Sequence, residues 1–203
     1  MPKGEPTPTM ERRRDEIVAA AARIFHQKGY EATSIQEVAE AVGMLKGSLY
    51  YYIDAKEDLL FAVIEKAHQL GNDGMASSVE EGGDALAQLR NTITAHVRNN
   101  LENLTEIGVF FQDFRSLGQE RRAAIVEERD SYERFVRGII ERGQADGTID
   151  ASIDPKLTTM ALLGMMNWVY QWYRPDGPKE PQEIAEIFAD VALKGIAASS
   201  AMR

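Results

Sequence analysis

The stretch "TSIQEVAEAVGMLKGSLYYYIDAKEDLL", Thr33 to Leu60, decides the fold. Ser34 and Glu37 stand at capping-box spacing, where the serine caps a free amide and the glutamate reaches back. Ile35, Val38, Ala39 and Val42 follow as one apolar stripe, so the spacing predicts a short helix closed by Gly43. After the "GML" turn a third short helix fits Lys46 to Ile53. Asp54 and Glu57 repeat the capping-box pattern and open a longer helix through "KEDLLFAVIEKAHQL". Upstream, Ile17, Ala21, Ile24 and Phe25 recur at helical spacing between Met10 and Lys28, with Gly29 as terminator. Short helices packed on each other, two of them joined by a tight glycine turn, make a helix-turn-helix unit.

Three consecutive tyrosines in that stretch cannot share one face, because successive helical residues point about 100° apart. Leu45, Leu49, Tyr52 and Ile53 fall on an apolar side, while Lys46 with Tyr50 and Gly47 with Tyr51 share the other. Tyr52 is expected inside, and Tyr50 and Tyr51 outside beside a lysine. Phenolic hydroxyls and ammonium groups donate to phosphate oxygens, and a glycine lets backbone approach a groove. Ser48 is placed to meet a base edge or a phosphate.

Outside this unit the pattern is helical throughout. Residues 1–9, with Pro2, Pro6 and Pro8, read as a disordered tail, and residues 10–55 as the helix-turn-helix domain. Residues 56–203 form the second domain, with "GNDGMASSVEEGGD", Gly71 to Asp84, as a linker rich in Gly and Ser. Helices are expected at 85–102, 104–116, 119–144, 155–173 and 181–198, and Asp154-Pro155 supplies an N-cap followed by proline at the first helical position. The fold class is all-α, with about nine helices.

Composition narrows the function. The chain of 203 residues is 44% hydrophobic and contains no cysteine, which removes disulfides and thiolate chemistry and suits a cytoplasmic location. The N-terminus lacks the apolar stretch of a secretory signal. Leu157 to Tyr173 is the longest uncharged run; it is too short for a membrane span and carries Asn167 and Gln171, so it reads as a buried core helix. Net charge is −9 overall, −2 for residues 1–68 and −7 for the rest, so a DNA-binding face depends on local placement. P-loop, dinucleotide-binding, G-x-S-x-G and H-E-x-x-H motifs are absent, and His26, His68 and His96 are scattered, which argues against an enzyme. No cofactor and no metal are expected.

The Thr33–Leu60 stretch resembles the DNA-binding signature of TetR-type transcriptional regulators. Thr33, Ile35, Val38, Ala39, Val42, Gly43, Gly47, Ser48, Leu49, Tyr50, Lys56, Glu57 and Leu59 match it at fixed spacing. Leu45 replaces a small polar residue and Ile53 a phenylalanine. The resemblance implies that Thr33 and Ser34 hold a phosphate, that Lys46, Gly47 and Ser48 meet base edges, and that Tyr50, Tyr51 and Lys56 bind phosphates. Arg12 to Arg14 are read either as added attraction for DNA or as a solvated charge run.

The same resemblance implies a homodimer on a palindromic operator, with half-sites about one DNA turn apart. The last two helices are expected at the dimer interface, Ala161 and Gly164 permitting close approach. Phe110, Phe111, Phe114, Met165, Trp168 and Trp172 are the expected lining of a pocket for a hydrophobic effector. "NWVYQWYRPDGP" and the helix after it are similar to TetR-type repressors of fatty-acid, sterol or aromatic-acid catabolism, which implies an acyl-CoA effector. Arg115 and Arg174, with Arg98, Arg121 and Arg122, are expected to meet its phosphates. Two alternatives stand beside this: a sensor of lipophilic cations that uses Asp113 beside the phenylalanines, and a regulator governed by a protein partner.

Overall fold

The structure is a computed structural model that describes residues 8–80 and 83–198, with side chains described outside 70–80. Among these residues the chain is helical: α1 Pro8–Lys28, α2 Ile35–Ala41, α3 Lys46–Leu49, α4 Lys56–Glu80, α5 Ala85–Glu102, α6 Leu104–Asp113, a 3-10 turn Phe114–Ser116, α7 Gln119–Asp146, α8 Pro155–Asn167, α9 Val169–Trp172 and α10 Pro181–Ile196. The all-α expectation holds, with ten α-helices among the described residues because the expected 155–173 helix is two. An isolated antiparallel bridge joins Ile149 to Ala197. Two compact units result: the chain up to Ala67 with Thr105–Ala124, and His68–Leu104 with the chain from Ile125.

In the first unit α1 buries Ile17, Ala21 and Phe25 along one stripe, and Val18 and Ala22 beside it. Gly29 ends the helix at φ +85, a left-handed conformation that costs glycine little. The Phe25 ring meets Tyr30 edge-on, their centroids 5.3 Å apart. The capping box of α2 forms as read: Ser34 Oγ accepts the Glu37 amide at 3.3 Å, and Glu37 Oε2 accepts the Ser34 amide at 2.8 Å. Such a cap contributes about 1 kcal/mol. The Lys28 ammonium and then the Ser34 amide and hydroxyl hold the Glu37 carboxyl down to about 2.

Several local expectations are corrected here. α3 spans a single turn, not Lys46 to Ile53; after Leu49 the tyrosines close i+3 turns, Tyr52 N–H donating to the Leu49 carbonyl at 2.9 Å. Asp58 rather than Glu57 caps α4, Oδ2 accepting the Asp54 and Ala55 amides at 2.7 and 2.8 Å, while Glu57 accepts the Gly118 amide at 3.0 Å. The Gly71–Asp84 linker is helix as far as Glu80, and residues 81–82 lie outside the described residues. Extending a formed helix adds a bond per residue fixed, and no proline interrupts this segment. The first compact unit takes in the start of α4, as far as Ala67. Leu59, Leu60, Val63 and Ile64 of α4 are buried in the first unit, because the short helices leave an apolar face that α4 and α6 close. Of the expected tail at 1–9, Pro8 and Thr9 open α1, and the remainder lies outside the described residues.

In the second unit α5 places Ala85, Leu89, Ile93, Val97 and Leu101 at steps of four on one buried face. Val136, Ile139 and Ile140 of α7, Leu162 and Met166 of α8, and Ile184, Ala185, Ala189 and Leu193 of α10 complete that core. Gly143 of α7 is a point of close approach: a Cβ there would lie 2.6 Å from Ile149 Cδ1 and 2.9 Å from Ala85 Cβ. The expected 155–173 helix breaks at Trp168, where Asn100 Nδ2 donates to the Met166 carbonyl at 3.2 Å. Nor is it wholly buried. Thr159, Leu162 and Met166 face the core, while Leu157, Met160, Trp168 and Trp172 are exposed on the rest of its surface. Among the described residues no helix is long and apolar enough to cross a membrane.

Candidate functional site

The helix-turn-helix surface is built from the turn outward. Gly43, at φ +66, reverses the chain after α2, and Met44 N–H donates back to the Ala39 carbonyl at 2.9 Å. The Arg13 guanidinium reaches from α1 to the Val42 carbonyl at 2.7 Å, so the turn is tied to the first helix. Leu49 and Ile53 are buried and anchor α3 and the turn after it. What remains outward is Lys46, Gly47, Tyr50 and Tyr51, with Ser48 half-buried among them. Tyr51 is 78% exposed, and a Cβ on Gly47 would meet nothing within 4 Å, so a groove edge has room at this point. Tyr52, expected inside, is half-buried, because it follows the end of α3 at Leu49 and lies in the turn after it.

Leu45 departs from that spacing. It is 80% exposed although the helical wheel assigned it to the apolar side with Leu49. The reason is its backbone: Leu45 is the N-cap of α3 at φ −73, ψ 143, so it precedes the helix and the wheel does not apply to it.

Three of the eight expected DNA contacts have internal hydrogen-bond partners. Thr33 is buried and its hydroxyl donates to the Gly29 carbonyl at 2.9 Å. Ser34 spends its hydroxyl on the capping box, donating to Glu37 Oε2 at 2.9 Å. The Lys56 ammonium donates to the carbonyls of Tyr30 and Thr33, both at 3.0 Å, and lies over the Tyr30 ring. These side chains fix the loop between α1 and α2 to the start of α4. Of the arginine run, Arg13 is committed to Val42 and Glu16, while Arg12 and Arg14 are exposed.

The expected effector residues fall in both units. Phe110, Phe111 and Phe114 cluster in the first, with centroids 4.8 and 5.7 Å apart, and Arg115 beside them is exposed. Asp113 accepts the Tyr30 amide at 3.1 Å, and burial pushes its carboxyl upward. Arg121 is paired with Asp58 and stands over the Phe61 ring. In the second unit Met165 packs on the core, and Trp168 is 62% exposed. Trp172 stacks on Phe188 at 6.1 Å and shares with Arg174, Lys179 and Ile184 an apolar cleft of about 380 Å³.

Sequence reading missed a buried polar cluster in the second unit. His96 of α5 meets the Tyr132 hydroxyl of α7 through Nδ1 and Asn167 Oδ1 of α8 through Nε2, each at 2.9 Å. Asn167 Oδ1 only accepts, so Nε2 carries a proton. Burial keeps the imidazole neutral, and Nδ1 therefore accepts from Tyr132. Burial likewise raises the Tyr132 phenol. The one sign of this cluster in the sequence is Asn167 interrupting an apolar run, with His96 and Asn100 one helical turn apart.

Comparison with known proteins extends over the whole of this architecture. Residues 17–63 match the bacterial regulatory proteins of the tetR family, and residues 82–196 match the tetracyclin repressor-like C-terminal domain. The HTH-type transcriptional repressor KstR2 of Rhodococcus jostii is 25% identical over 197 residues, 97% of each chain. The TetR family transcriptional regulator PfmR from Thermus thermophilus superposes with a TM-score of 0.82 at 34% identity, over 88% of this chain and 97% of that one. AibR, solved in complex with isovaleryl coenzyme A and operator DNA, superposes with a TM-score of 0.79 at 29% identity, over 88% and 97%. The chain belongs to the TetR family of bacterial regulatory proteins and is a DNA-binding transcriptional regulator.

Proposed function

We propose that this regulator is a homodimeric repressor that leaves a palindromic operator when it binds an acyl-CoA thioester. The observation that carries the effector is the likeness, over nearly the whole chain, to AibR, which was solved with an acyl-CoA and operator DNA together. The likeness to KstR2, a repressor, supports the direction of control. In this reading Lys46, Gly47 and Ser48 meet base edges and Tyr50 and Tyr51 hold phosphates. Thr33, Ser34 and Lys56 serve the same surface by keeping its frame in place.

The dimer uses the exposed apolar face of α8 and α10. Leu157 and Met160 lie uncovered along α8 and Trp168 at its C-cap, with Ile187 and Val191 uncovered on α10. Gly164 has open space at its Cβ, so a second helix has room to approach closely. Large apolar side chains left in solvent on these two helices support an interaction site there. A two-fold axis through it makes the two reading surfaces equivalent, as a palindrome requires. An effector relieves repression only by binding better to the conformation whose reading surfaces are wrongly spaced. The apolar wall of Trp172, Ile184 and Phe188 beside Arg174 and Lys179 supports an amphipathic anion as ligand, and no comparable observation favours a lipophilic cation.

The test is selection and sequencing of genomic fragments bound by the purified protein, alone and with isovaleryl-CoA or a long-chain acyl-CoA. Recovery of a palindrome that is lost on adding a thioester is the expected result. A palindrome indifferent to every thioester would remove the effector and keep the regulator.

A further inference from the structure

Leu45 is 80% exposed, at the edge of the surface that carries Lys46, Gly47 and Tyr51. Its side chain contributes nothing to the core. Nor does it cap: it is the N-cap residue of α3 and makes no side-chain hydrogen bond there, at a position where Ser, Thr, Asp and Asn stabilise a helix. Folding alone gives no reason for leucine at this site. Its placement is nonetheless well defined. The Leu45 carbonyl accepts the Ser48 amide at 2.9 Å, the preceding Met44 amide is tied to Ala39, and Leu49 is fully buried.

We propose that Leu45 is a specificity-determining residue that reads a thymine methyl group in each half of the operator. The inference rests on α3 being the element that enters the major groove. Among the groups that base pairs present in that groove, the thymine C5-methyl is the apolar one, and an apolar side chain is its partner. Lys46 and Ser48 supply polar contacts on one flank, and the bare Gly47 lets the backbone come close enough for a leucine to reach the base edge. Covering one methyl group is worth about fourfold in affinity for each half-site.

Uracil differs from thymine in this position only by the missing methyl, so it isolates the contact. An operator is first selected from random DNA by the wild-type protein. Each thymine of one half-site is then replaced in turn by deoxyuridine, and binding is measured for the wild type and for Leu45→Ala. At one position the wild type is expected to lose about fourfold while Leu45→Ala binds both DNAs alike. Leu45→Ala is expected to melt with the wild type, because the side chain it removes is exposed, and circular dichroism checks this. Indifference of the wild type to uracil at every position overturns the proposal. So does a loss at uracil that persists undiminished in Leu45→Ala. If the wild type selects no sequence at all, the groove-entry reading and this one fall together, and that is visible before any uracil is introduced.

Discussion

The ammonium nitrogen of Lys56 lies 3.0 Å from the carbonyl oxygen of Tyr30 and 4.1 Å from the centroid of the same residue's ring. A lysine that the signature places at the DNA surface is thereby turned into a clamp between α4 and the loop after α1. Lys56→Met keeps the aliphatic stem and removes the charge and its donors. It is expected to cost about 1–3 kcal/mol of stability, since two carbonyls lose a charged partner. The salt dependence of DNA binding should stay as in the wild type. A drop in the log–log salt slope of about 1 would instead mean that Lys56 neutralises a phosphate.

Lys46, Ser48, Tyr50 and Tyr51 divide by what each can recognise. Tyr50→Ala and Tyr51→Ala are expected to weaken specific and non-specific DNA binding by the same factor, because phosphate contacts carry no sequence information. Lys46→Ala and Ser48→Ala are expected to shift sequence preference as well, with about 1–3 kcal/mol of discrimination lost at the base each one reads. Competition assays with operator and scrambled DNA measure both quantities. Equal losses on both DNAs for all four variants would abolish this division of roles.

The two halves of this surface differed in how far the sequence disclosed them. The Ser34–Glu37 box, the Gly43 turn and buried Leu49 depend on neighbours within a few residues, so local spacing displayed them. The inward turn of Lys56 depends on Tyr30, 26 positions away, and no local pattern carries it. Leu45 was misplaced because a helical wheel assumes a helix that had not yet begun at that residue. Gly71 and Gly74 were read as a break, yet α4 runs through both, since a glycine costs a helix only about 1 kcal/mol. The His96 cluster joins α5, α7 and α8 across 36 and 71 positions and becomes visible only once those helices are packed.

His96 and His68 make stability depend on pH in a defined direction. Burial holds both imidazoles below their ordinary value of about 6.5, and for His68 burial and then Arg129 bring it to about 4. Glu128, 3.7 Å from His68 Nδ1, pulls the other way and is outweighed. In the unfolded chain both groups bind protons below about 6.5, whereas the folded chain resists them. Their contribution is therefore complete above about pH 6.5 and declines as pH falls toward each folded value, for His68 toward about 4. Urea unfolding between pH 7.5 and 5 should show stability falling with acid, and His68→Gln should flatten part of that slope. A wild-type stability that is level or rises on acidification over this range would contradict the assignment.

Trp168 and Val191 offer the sharpest test of the dimer face. Both are exposed, 62% and 60%, on α8's end and on α10, so replacing them removes no core contact. Trp168→Asp and Val191→Glu place a charge where a stable interface would bury on the order of 1,200–2,000 Å² of surface in total. A buried, unpaired carboxylate there opposes association strongly, while in the monomer it is simply solvated. Each variant is expected to melt like the wild-type monomer unit, to sediment as a monomer where the wild type sediments as a dimer, and to bind a palindrome no better than a single half-site. Dimers that persist in both variants would move the interface to another surface. A monomeric wild type would instead leave the apolar face of α8 and α10 without the partner assigned to it.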